Sequence, residues 1–295
     1  MINVVLWLAL ALMWSSSYAA IKLGVQTIGP MPLVAGRMII GACIMLAVLR
    51  LRGMSLSRDA HAWGVYGLTG LLGSVIPFLL ISFGEHHVDS SLAALLMGIA
   101  PVATVLMAHL LLSGERLTTR SAAGIVIGVA GLVMLIGPGA LSGLGDHLLG
   151  QIAIMLAALC YAVSTIYVKA KVKRPPLEMA AGSMLVGAIC ITAATILVGE
   201  PATIAVPSVK SAAAVIYLGV FSTALATLIY FHLIPRLGAN RMSQINFAVP
   251  VGGALIGVLL LGETIAPSKI MALAVITVAI YLVTTRARSH RVRTV

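Results

Sequence analysis

Charged residues are scarce in this 295-residue chain. They make up 9% of it, whereas globular proteins carry about 25%. Hydrophobic residues make up 60%, and the mean hydropathy is +1.10. A soluble fold of this length needs more polar surface than that, so the composition predicts an all-α integral membrane protein. In that setting the net charge of +11 indicates basic cytoplasmic loops rather than a nucleic-acid partner.

Acidic residues are rarer still, and their positions bear on the mechanism. There are eight, and each falls in a predicted loop or near the end of a predicted span: Asp59, Glu85, Asp89, Glu115, Asp146, Glu178, Glu200 and Glu263. A carboxylate inside the membrane is the usual proton or cation relay. The sequence therefore disfavours coupling through a carboxylate and favours movement of a substrate down its own gradient.

Cysteine is sparse as well. Cys43, Cys160 and Cys190 lie in apolar runs without the spacing of metal ligands, so we interpret them as small packing residues. The turn Glu85-His86-His87 with Asp89 has the composition of a metal cluster, but it is short and is expected to be solvated. No metal, cofactor or catalytic residue is expected. No connection is long enough for a soluble catalytic domain, so the protein is predicted not to be an enzyme.

Long apolar runs dominate what remains. A transmembrane helix needs about 20 apolar residues, and the sequence predicts ten such helices. Their ranges are 3–22, 33–51, 63–84, 91–112, 121–137, 149–170, 178–198, 212–233, 241–261 and 269–285. The first run has no basic segment before it and no cleavage site, so it is expected to be a span rather than a signal peptide.

The basic residues predict an orientation. With a cytoplasmic N-terminus, all of the 19 basic residues except Lys22, Arg37, Lys210 and Lys269 lie on the cytoplasmic side. Because Lys and Arg concentrate in cytoplasmic loops, both termini are predicted to be cytoplasmic. Residues 286–295 then form a basic cytoplasmic tail.

A duplication organises the chain. Ala100-Pro101 matches Val249-Pro250, and Leu112-Ser-Gly-Glu115 matches Leu260-Leu-Gly-Glu263, at separations of 149 and 148 positions. Trp14, Ser17 and Lys22 likewise match Tyr161, Ser164 and Lys169. The sequence thus predicts two five-helix repeats, 3–137 and 149–285. Five is an odd number, so the second repeat must be inverted in the membrane, which is typical of transporters with a substrate site between the repeats.

These features resemble the EamA family of the drug/metabolite transporter superfamily. The similar elements are an early Trp/Tyr-x-x-Ser helix, a fourth helix with a mid-span proline, and a closing Leu-x-Gly-Glu in each unit, over roughly residues 5–285. The resemblance implies export of amino acids and related metabolites from bacteria. It also implies a cavity formed mainly by helices 1, 3, 4, 6, 8 and 9.

Polar and aromatic residues at mid-span mark the candidate site. On the first, sixth and eighth helices they share faces by helical spacing, and on the ninth Ser243 and Asn246 precede Pro250. The candidate substrate-binding residues are Trp14, Ser17, Tyr18, Phe78, Met97, Pro101, Tyr161, Ser164, Thr165, Thr223, Thr227, Tyr230, Asn246 and Pro250. The alternative is that the Ser and Thr hydroxyls bond their own helix backbones and allow close packing.

Prolines and one arginine add further candidates. Pro77, Pro101 and Pro250 each remove the hydrogen bond to the carbonyl four residues earlier, and these carbonyls could accept from a substrate ammonium. Two alternatives are open for Arg37: pairing with a substrate carboxylate, or reaching towards the interface or a carbonyl.

The sequence therefore predicts a bacterial inner-membrane exporter of amino acids or related small metabolites that works by alternating access. A nearly uncharged site fits a zwitterionic or neutral substrate, with aromatic amino acids among the candidates. One alternative is an exporter of cationic drugs or amines, whose charge the aromatic rings could bind. The other is a receptor or scaffold that binds without transporting. Besides substrate and lipid bilayer no partner is expected, and the sequence does not determine an oligomeric state.

Overall fold

In a computed structural model, the protein is described over residues 2–111, 118–136, 146–198, 207–243 and 245–284, and all regular secondary structure in these ranges is helical. We number the helices α1 to α10. They are α1 (Ile2–Gly24), α2 (Pro30–Leu51), α3 (Ala60–His87), α4 (Ser90–Leu111), α5 (Thr119–Ile136), α6 (Asp146–Lys171), α7 (Pro176–Val198), α8 (209–243), α9 (Ile245–Leu261) and α10 (Pro267–Thr284).

Seven of the described helices are long and apolar enough to cross a membrane. These are α1, α2, α3, α4, α6, α7 and the 209–233 part of α8. Three shorter apolar stretches, Thr119–Met134, Ala248–Leu261 and Pro267–Val283, lie in α5, α9 and α10. The chain is therefore a helical protein with several membrane spans, as its composition predicts.

The helix bounds lie within three residues of the predicted ones except at one connection. A loop was expected at 234–240, with the ninth span beginning at 241, but α8 continues as helix to Ser243 and α9 begins at Ile245. Pro235, Gly238 and Asn240 disfavour a helix interior and led to the loop prediction, so local preference does not explain why this stretch is helical. The expected close of α4 at Leu112-Ser-Gly-Glu115 and the tail 286–295 lie outside the described residues.

Local signals set where the helices begin and end. Proline occupies the first helical position of α2, α7 and α10, where its missing N–H costs nothing. Asp59 caps α3 by accepting from the His61 amide, and Ser208 caps α8 by accepting from the Ser211 amide. Gly53 and Gly262 follow α2 and α9 with left-handed φ values of 67° and 68°, which glycine adopts without strain.

The helices of the first part of the chain, α1 to α5, pack mainly against those of the second part, α6 to α10. The main packing pairs are α1 with α8 and α9, α6 with α3 and α4, α2 with α7 and α8, α3 with α7, α4 with α9, and α5 with α10. Glycine allows the closest contacts. A Cβ atom on Gly84 of α3 would lie 2.8 Å from the carbonyl oxygen of Gly150 on α6. Every one of these pairs joins residues before 137 to residues after 146, so neither part buries its helices alone.

Three described helices have irregular backbones. Residues Leu71–Val75 of α3 and Leu218–Leu225 of α8 are π-helical, and α4 is interrupted between Met97 and Ala100. In α3 and α4 the irregular backbone contains the carbonyl four residues before Pro77 or Pro101. That carbonyl lacks its usual N–H partner within the helix, because proline has no N–H group. The π segment of α8 contains no proline. Such segments frequently occur at functional sites.

Candidate functional site

A buried arginine lies at the centre of the helices. Arg37 is 5% exposed. Its Nε donates to the Thr223 hydroxyl on α8 at 2.7 Å, and its guanidinium carbon lies 3.6 Å from the ring centroid of Phe78 on α3. An arginine over an aromatic face gains a cation–π interaction. Of the two alternatives for Arg37, outward reach to the interface is therefore wrong, since the side chain points into the protein.

Two tyrosines lie in the same apolar cluster as Phe78. Tyr18 on α1 is buried and Tyr161 on α6 is half-buried, and both belong to that cluster. We call Tyr18, Arg37, Phe78, Tyr161 and Thr223 the central cluster. It draws on five helices from both parts of the chain. Four of its members were candidates from sequence, and the structure brings them together around the fifth, Arg37.

A second group of candidates lies on α1, α8 and α9. The rings of Trp14 and Tyr230 lie 5.8 Å apart with a tilt of 41°, within the range of favourable aromatic pairs. They belong to an apolar cluster that includes Leu10 and Ala248. Asn246 is half-buried on α9, and the side chain of Ser243 lies outside the described residues. This aromatic pair is separate from the apolar cluster that contains Tyr18, Phe78 and Tyr161.

Several candidate hydroxyls bond their own helices. Ser17 donates to the Trp14 carbonyl at 2.6 Å, Thr165 to the Tyr161 carbonyl at 2.8 Å, and Thr227 to the Thr223 carbonyl at 2.6 Å. These three hydroxyls therefore bond their own helix backbones, which was the alternative to substrate binding. Thr165 is also exposed. Ser164 is buried, and its Oγ lies 2.9 Å from the point where a Cβ on Gly73 would stand. Among the candidate hydroxyls, Thr223 is the one bonded to a charged side chain.

The proline candidates lie where α4 meets α9. Met97 and Pro250 are buried and Pro101 is half-buried. A Cβ on Gly98, in the interruption of α4, would lie 3.4 Å from Pro250 Cγ. The irregular turn of α4 therefore packs directly on the proline of α9.

Glu85 corrects an expectation drawn from sequence. It was expected in a solvated turn, but it is 0% exposed. Both of its carboxylate oxygens are buried and lack a hydrogen-bond partner. Helix α6 packs closely on the adjacent Gly84 through Gly150, a contact between distant helices that the sequence did not indicate. The expectation that Glu85 is solvated is therefore wrong, although the residue lies within one turn of the end of α3, as the sequence predicts.

Glu263 holds the start of α4 from a distant segment. Its carboxylate accepts from the amides of Ser90 and Ser91 at 2.9 and 2.8 Å and from the Ser90 hydroxyl at 2.8 Å. Partial burial raises the pKa of Glu263, but the hydrogen bonds from Ser91 and Ser90 outweigh it and hold that pKa below its usual value. The carboxylate also faces the positive end of the α4 dipole. Glu263 thus ties the α9–α10 connection to α4.

Polar clusters join the two parts of the chain at two further places. In the charged cluster, Arg174 binds Asp59 at 3.2 Å and Glu178 at 3.1 Å, and Glu178 also accepts a hydrogen bond from the Tyr66 hydroxyl. In the hydroxyl cluster, Thr27 donates to Ser211 at 2.8 Å and to Ser208 at 3.3 Å. The first links the α2–α3 and α6–α7 connections, and the second links α1–α2 with α7–α8.

Known proteins are similar to this chain in sequence and in fold. The pattern of the EamA-like transporter family matches residues 1–137 and 148–285. An uncharacterized inner membrane transporter of Escherichia coli K12, YedA, is 31% identical over 94% of this chain and 88% of its own length. A probable terminal-alkyne amino-acid exporter of Streptantibioticus cattleyicolor is 25% identical over 94% and 92%.

The fold also matches a solved structure. One crystal structure of a protein aligns with a TM-score of 0.68 at 24% identity, over 96% of both chains, which supports the helical arrangement alone. The family match covers nearly the whole chain and agrees with its apolar helices. The chain belongs to the EamA-like transporter family, whose members are membrane transporters rather than enzymes.

Proposed function

We propose that the protein is a bacterial inner-membrane exporter of amino acids or related small metabolites that works by alternating access. Its substrate is a small zwitterion, with aromatic amino acids among the candidates. The amino-acid exporter of Streptantibioticus cattleyicolor supports this substrate class, and the inner membrane transporter of Escherichia coli supports the location. Both termini are cytoplasmic in this proposal.

The proposal includes two inverted five-helix repeats, 3–137 and 149–285. The main packing pairs support it. If each helix is replaced by its counterpart in the other repeat (α1 by α6, α2 by α7, and so on), the same list of packing pairs results. The pair of α1 with α8 exchanges with that of α6 with α3, and α1 with α9 exchanges with α6 with α4, while α2–α7, α4–α9 and α5–α10 are unchanged. A two-fold axis relating the repeats produces this pattern.

The irregular and polar elements support the same relation. The π segments begin at Leu71 and Leu218, at corresponding places in α3 and α8. The charged cluster joins the connections α2–α3 and α6–α7, and the hydroxyl cluster joins their counterparts α7–α8 and α1–α2. If the repeats are inverted, the two clusters lie on opposite sides of the membrane. Alternating access requires contacts of this kind, which open first on one side and then on the other.

One observation supports a carboxylate-bearing substrate above all others. The buried guanidinium of Arg37 makes one hydrogen bond within the described residues, through Nε to Thr223. Its terminal amino groups form no hydrogen bond there, although an arginine can donate five and matches a carboxylate with two parallel bonds. In this proposal Arg37 binds the carboxylate of the substrate. The rings of Tyr18, Phe78 and Tyr161 contact the side chain of the substrate.

The other sequence candidates keep roles in this proposal. Thr223 orients Arg37, and Trp14 with Tyr230 bounds the site on the α8–α9 side. Asn246 and the carbonyls near Met97, Pro101 and Pro250 offer acceptors for an ammonium, and the remaining hydroxyls, Ser17, Ser164, Thr165 and Thr227, keep a free lone pair. The positive charge of Arg37 disfavours the alternative of a cationic drug or amine, because like charges repel strongly in a site shielded from water.

Reconstitution tests the function. Purified protein in liposomes preloaded with a mixture of L-amino acids is mixed with the same acids in radiolabelled form, and exchange is followed. We expect uptake above that of protein-free liposomes, reduced by Trp14→Ala and by Asn246→Leu, with the exposed Arg52→Gln as the unaffected control. Saturable binding without exchange would favour the receptor alternative, and absence of both would reject amino acids as substrates.

A further inference from the structure

Glu85 has no explanation in substrate binding or in helix capping. It lies one turn from the end of α3, is 0% exposed, and neither carboxylate oxygen has a hydrogen-bond donor. Lys22 is close, but its ammonium donates to the backbone carbonyls of Glu85 and Val88, both at 2.7 Å. The side chain is therefore sealed from water and left without the donors that usually accompany a buried carboxylate.

Charged and titratable groups face Glu85 from each helix packed around it. Lys22 and Arg37 attract a negative charge there, and Glu263 repels one. Tyr18 on α1 is also close to the Glu85 carboxylate, His86 and His87 follow Glu85 on α3, and His147 on α6 bonds the His87 carbonyl. None of them forms an ion pair or hydrogen bond with its carboxylate in the described chain.

A sealed carboxyl group without donors is strongly disfavoured as an anion, since burial removes its hydration and nothing replaces it. In this packing the side chain is therefore the neutral acid. Ionisation needs water, and water reaches Glu85 when α3 separates from α1 and α6. We propose that Glu85 is a proton-binding site whose occupancy is tied to the opening and closing of these helices. This inference rests on the proposed transport function and adds a proton requirement to its cycle.

The step involves one proton and no other reactant. In the opened form the Glu85 carboxyl gives its proton to water and remains as a carboxylate attracted to Lys22 and Arg37. Before the helices close again, the carboxylate takes a proton from water. Closure with an ionised Glu85 is blocked, so the transport cycle slows as pH rises.

Two variants isolate this site. Glu85→Gln keeps the shape of the side chain and cannot bind or release a proton. Glu85→Met also removes the titratable group and replaces it with an apolar side chain, a change that proteins often tolerate at a buried charged position. Ser82→Ala is the matched control, because Ser82 is 0% exposed on the same helix and its hydroxyl also lacks a partner. Within the described residues, neither Glu85 nor Ser82 forms a hydrogen bond or an ion pair with Arg37.

Thermal melting of the purified protein in detergent needs no substrate and comes first. We expect the melting temperature of the wild type and of Ser82→Ala to fall as pH rises, and that of Glu85→Gln or Glu85→Met to change less. A wild type whose melting temperature is independent of pH would overturn the proposal even if neither Glu85 variant folds. Equal pH profiles of wild type and Glu85→Gln would overturn it too.

The liposome exchange of radiolabelled L-amino acids, at equal pH on both sides, gives the second readout. The wild-type rate should fall with pH by up to about tenfold per unit, the slope for one proton. Glu85→Gln should show no such fall, and Ser82→Ala should follow the wild type. Exchange that responds to pH identically in wild type and Glu85→Gln contradicts the inference. Absence of wild-type exchange at every pH counts against the substrate class instead, and the melting comparison then decides the role of Glu85.

Discussion

The Nε atom of Arg37 and the hydroxyl of Thr223 lie 2.7 Å apart, although 186 positions separate the two residues. The bond crosses from α2 to the π-helical segment of α8. It orients a buried cation whose terminal amino groups form no hydrogen bond within the described residues. The extra residue in a π segment shifts the helical register, which is one way to direct a side chain inward.

Removing the acceptor tests this orientation. Thr223→Val keeps the volume and deletes the hydroxyl, and a hydrogen bond to a charged group contributes about 1.5–3 kcal/mol. We expect amino-acid exchange in liposomes to fall at least about tenfold, as that energy implies. Thr195→Val is the control, because Thr195 bonds its own helix at Ile191 on α7. Similar losses in both variants would show that Thr223 matters only for packing.

Glu263 should stabilise α4 in a pH-dependent way. Its pKa is below the usual value because Ser91 and Ser90 donate to it despite its partial burial. The carboxylate therefore stabilises the fold above the unfolded-state pKa of about 4.3, and the contribution is lost as pH falls through the lower folded-state value. We expect Glu263→Gln to lose about 1 kcal/mol at neutral pH and nothing in strong acid, by thermal melting.

Asp89 supplies the comparison for Glu263. It occupies the N-cap position of α4 without a side-chain capping bond. Asp89→Asn should melt like the wild type at both pH values. A loss from Asp89→Asn as large as that from Glu263→Gln would mean that general charge near α4, and not the specific bonds of Glu263, provides the stability.

The charged cluster should contribute to stability through its buried member. Glu178 accepts from Tyr66 and Arg174, and its side chain is 10% exposed, against 55% for Asp59. Glu178→Gln should lower the free energy of unfolding by about 1–3 kcal/mol, because hydrogen bonds to a charged acceptor are lost. Asp59→Asn should cost less than about 1 kcal/mol, as for an exposed pair. The reverse order in thermal melting would reject this assignment.

The proposed inverted repeats predict where the chain ends lie. Ten spans place both termini on the same side, and the basic residues place that side in the cytoplasm. Reporter fusions that are active only in the cytoplasm should be active at either end. Activity at one end alone would require an odd number of spans and would exclude two five-helix repeats.

The helices could be predicted from sequence because apolar runs of membrane length are an unambiguous local signal. The central cluster could be predicted in part, since Tyr18, Phe78, Tyr161 and Thr223 are polar or aromatic in otherwise apolar helices. The role of Arg37 stayed open because its partners lie on other helices. No periodicity in one sequence encodes a contact across 186 positions.

Two features left no usable sequence signal. Glu85 lies near a helix end, where carboxylates are usually solvated, yet it is 0% exposed in a helix that packs closely on α6. The π segment of α8 contains no proline, and its polar residues Ser222 and Thr223 do not by themselves predict an irregular backbone. Both arise from packing between distant helices rather than from local preference, so only the assembled structure reveals them.

The role of Arg37 is tested most directly by exchange of an amino acid and of its amide in liposomes. The acid chosen is the one that the mixture experiment shows to exchange fastest. If Arg37 binds the carboxylate, the wild type should exchange the acid at least about tenfold faster than the amide, since an unpaired buried donor is costly. Arg37→Gln should lose that preference, and Arg52→Gln should keep it. Equal exchange of acid and amide by the wild type, or an unchanged preference in Arg37→Gln, would contradict this account.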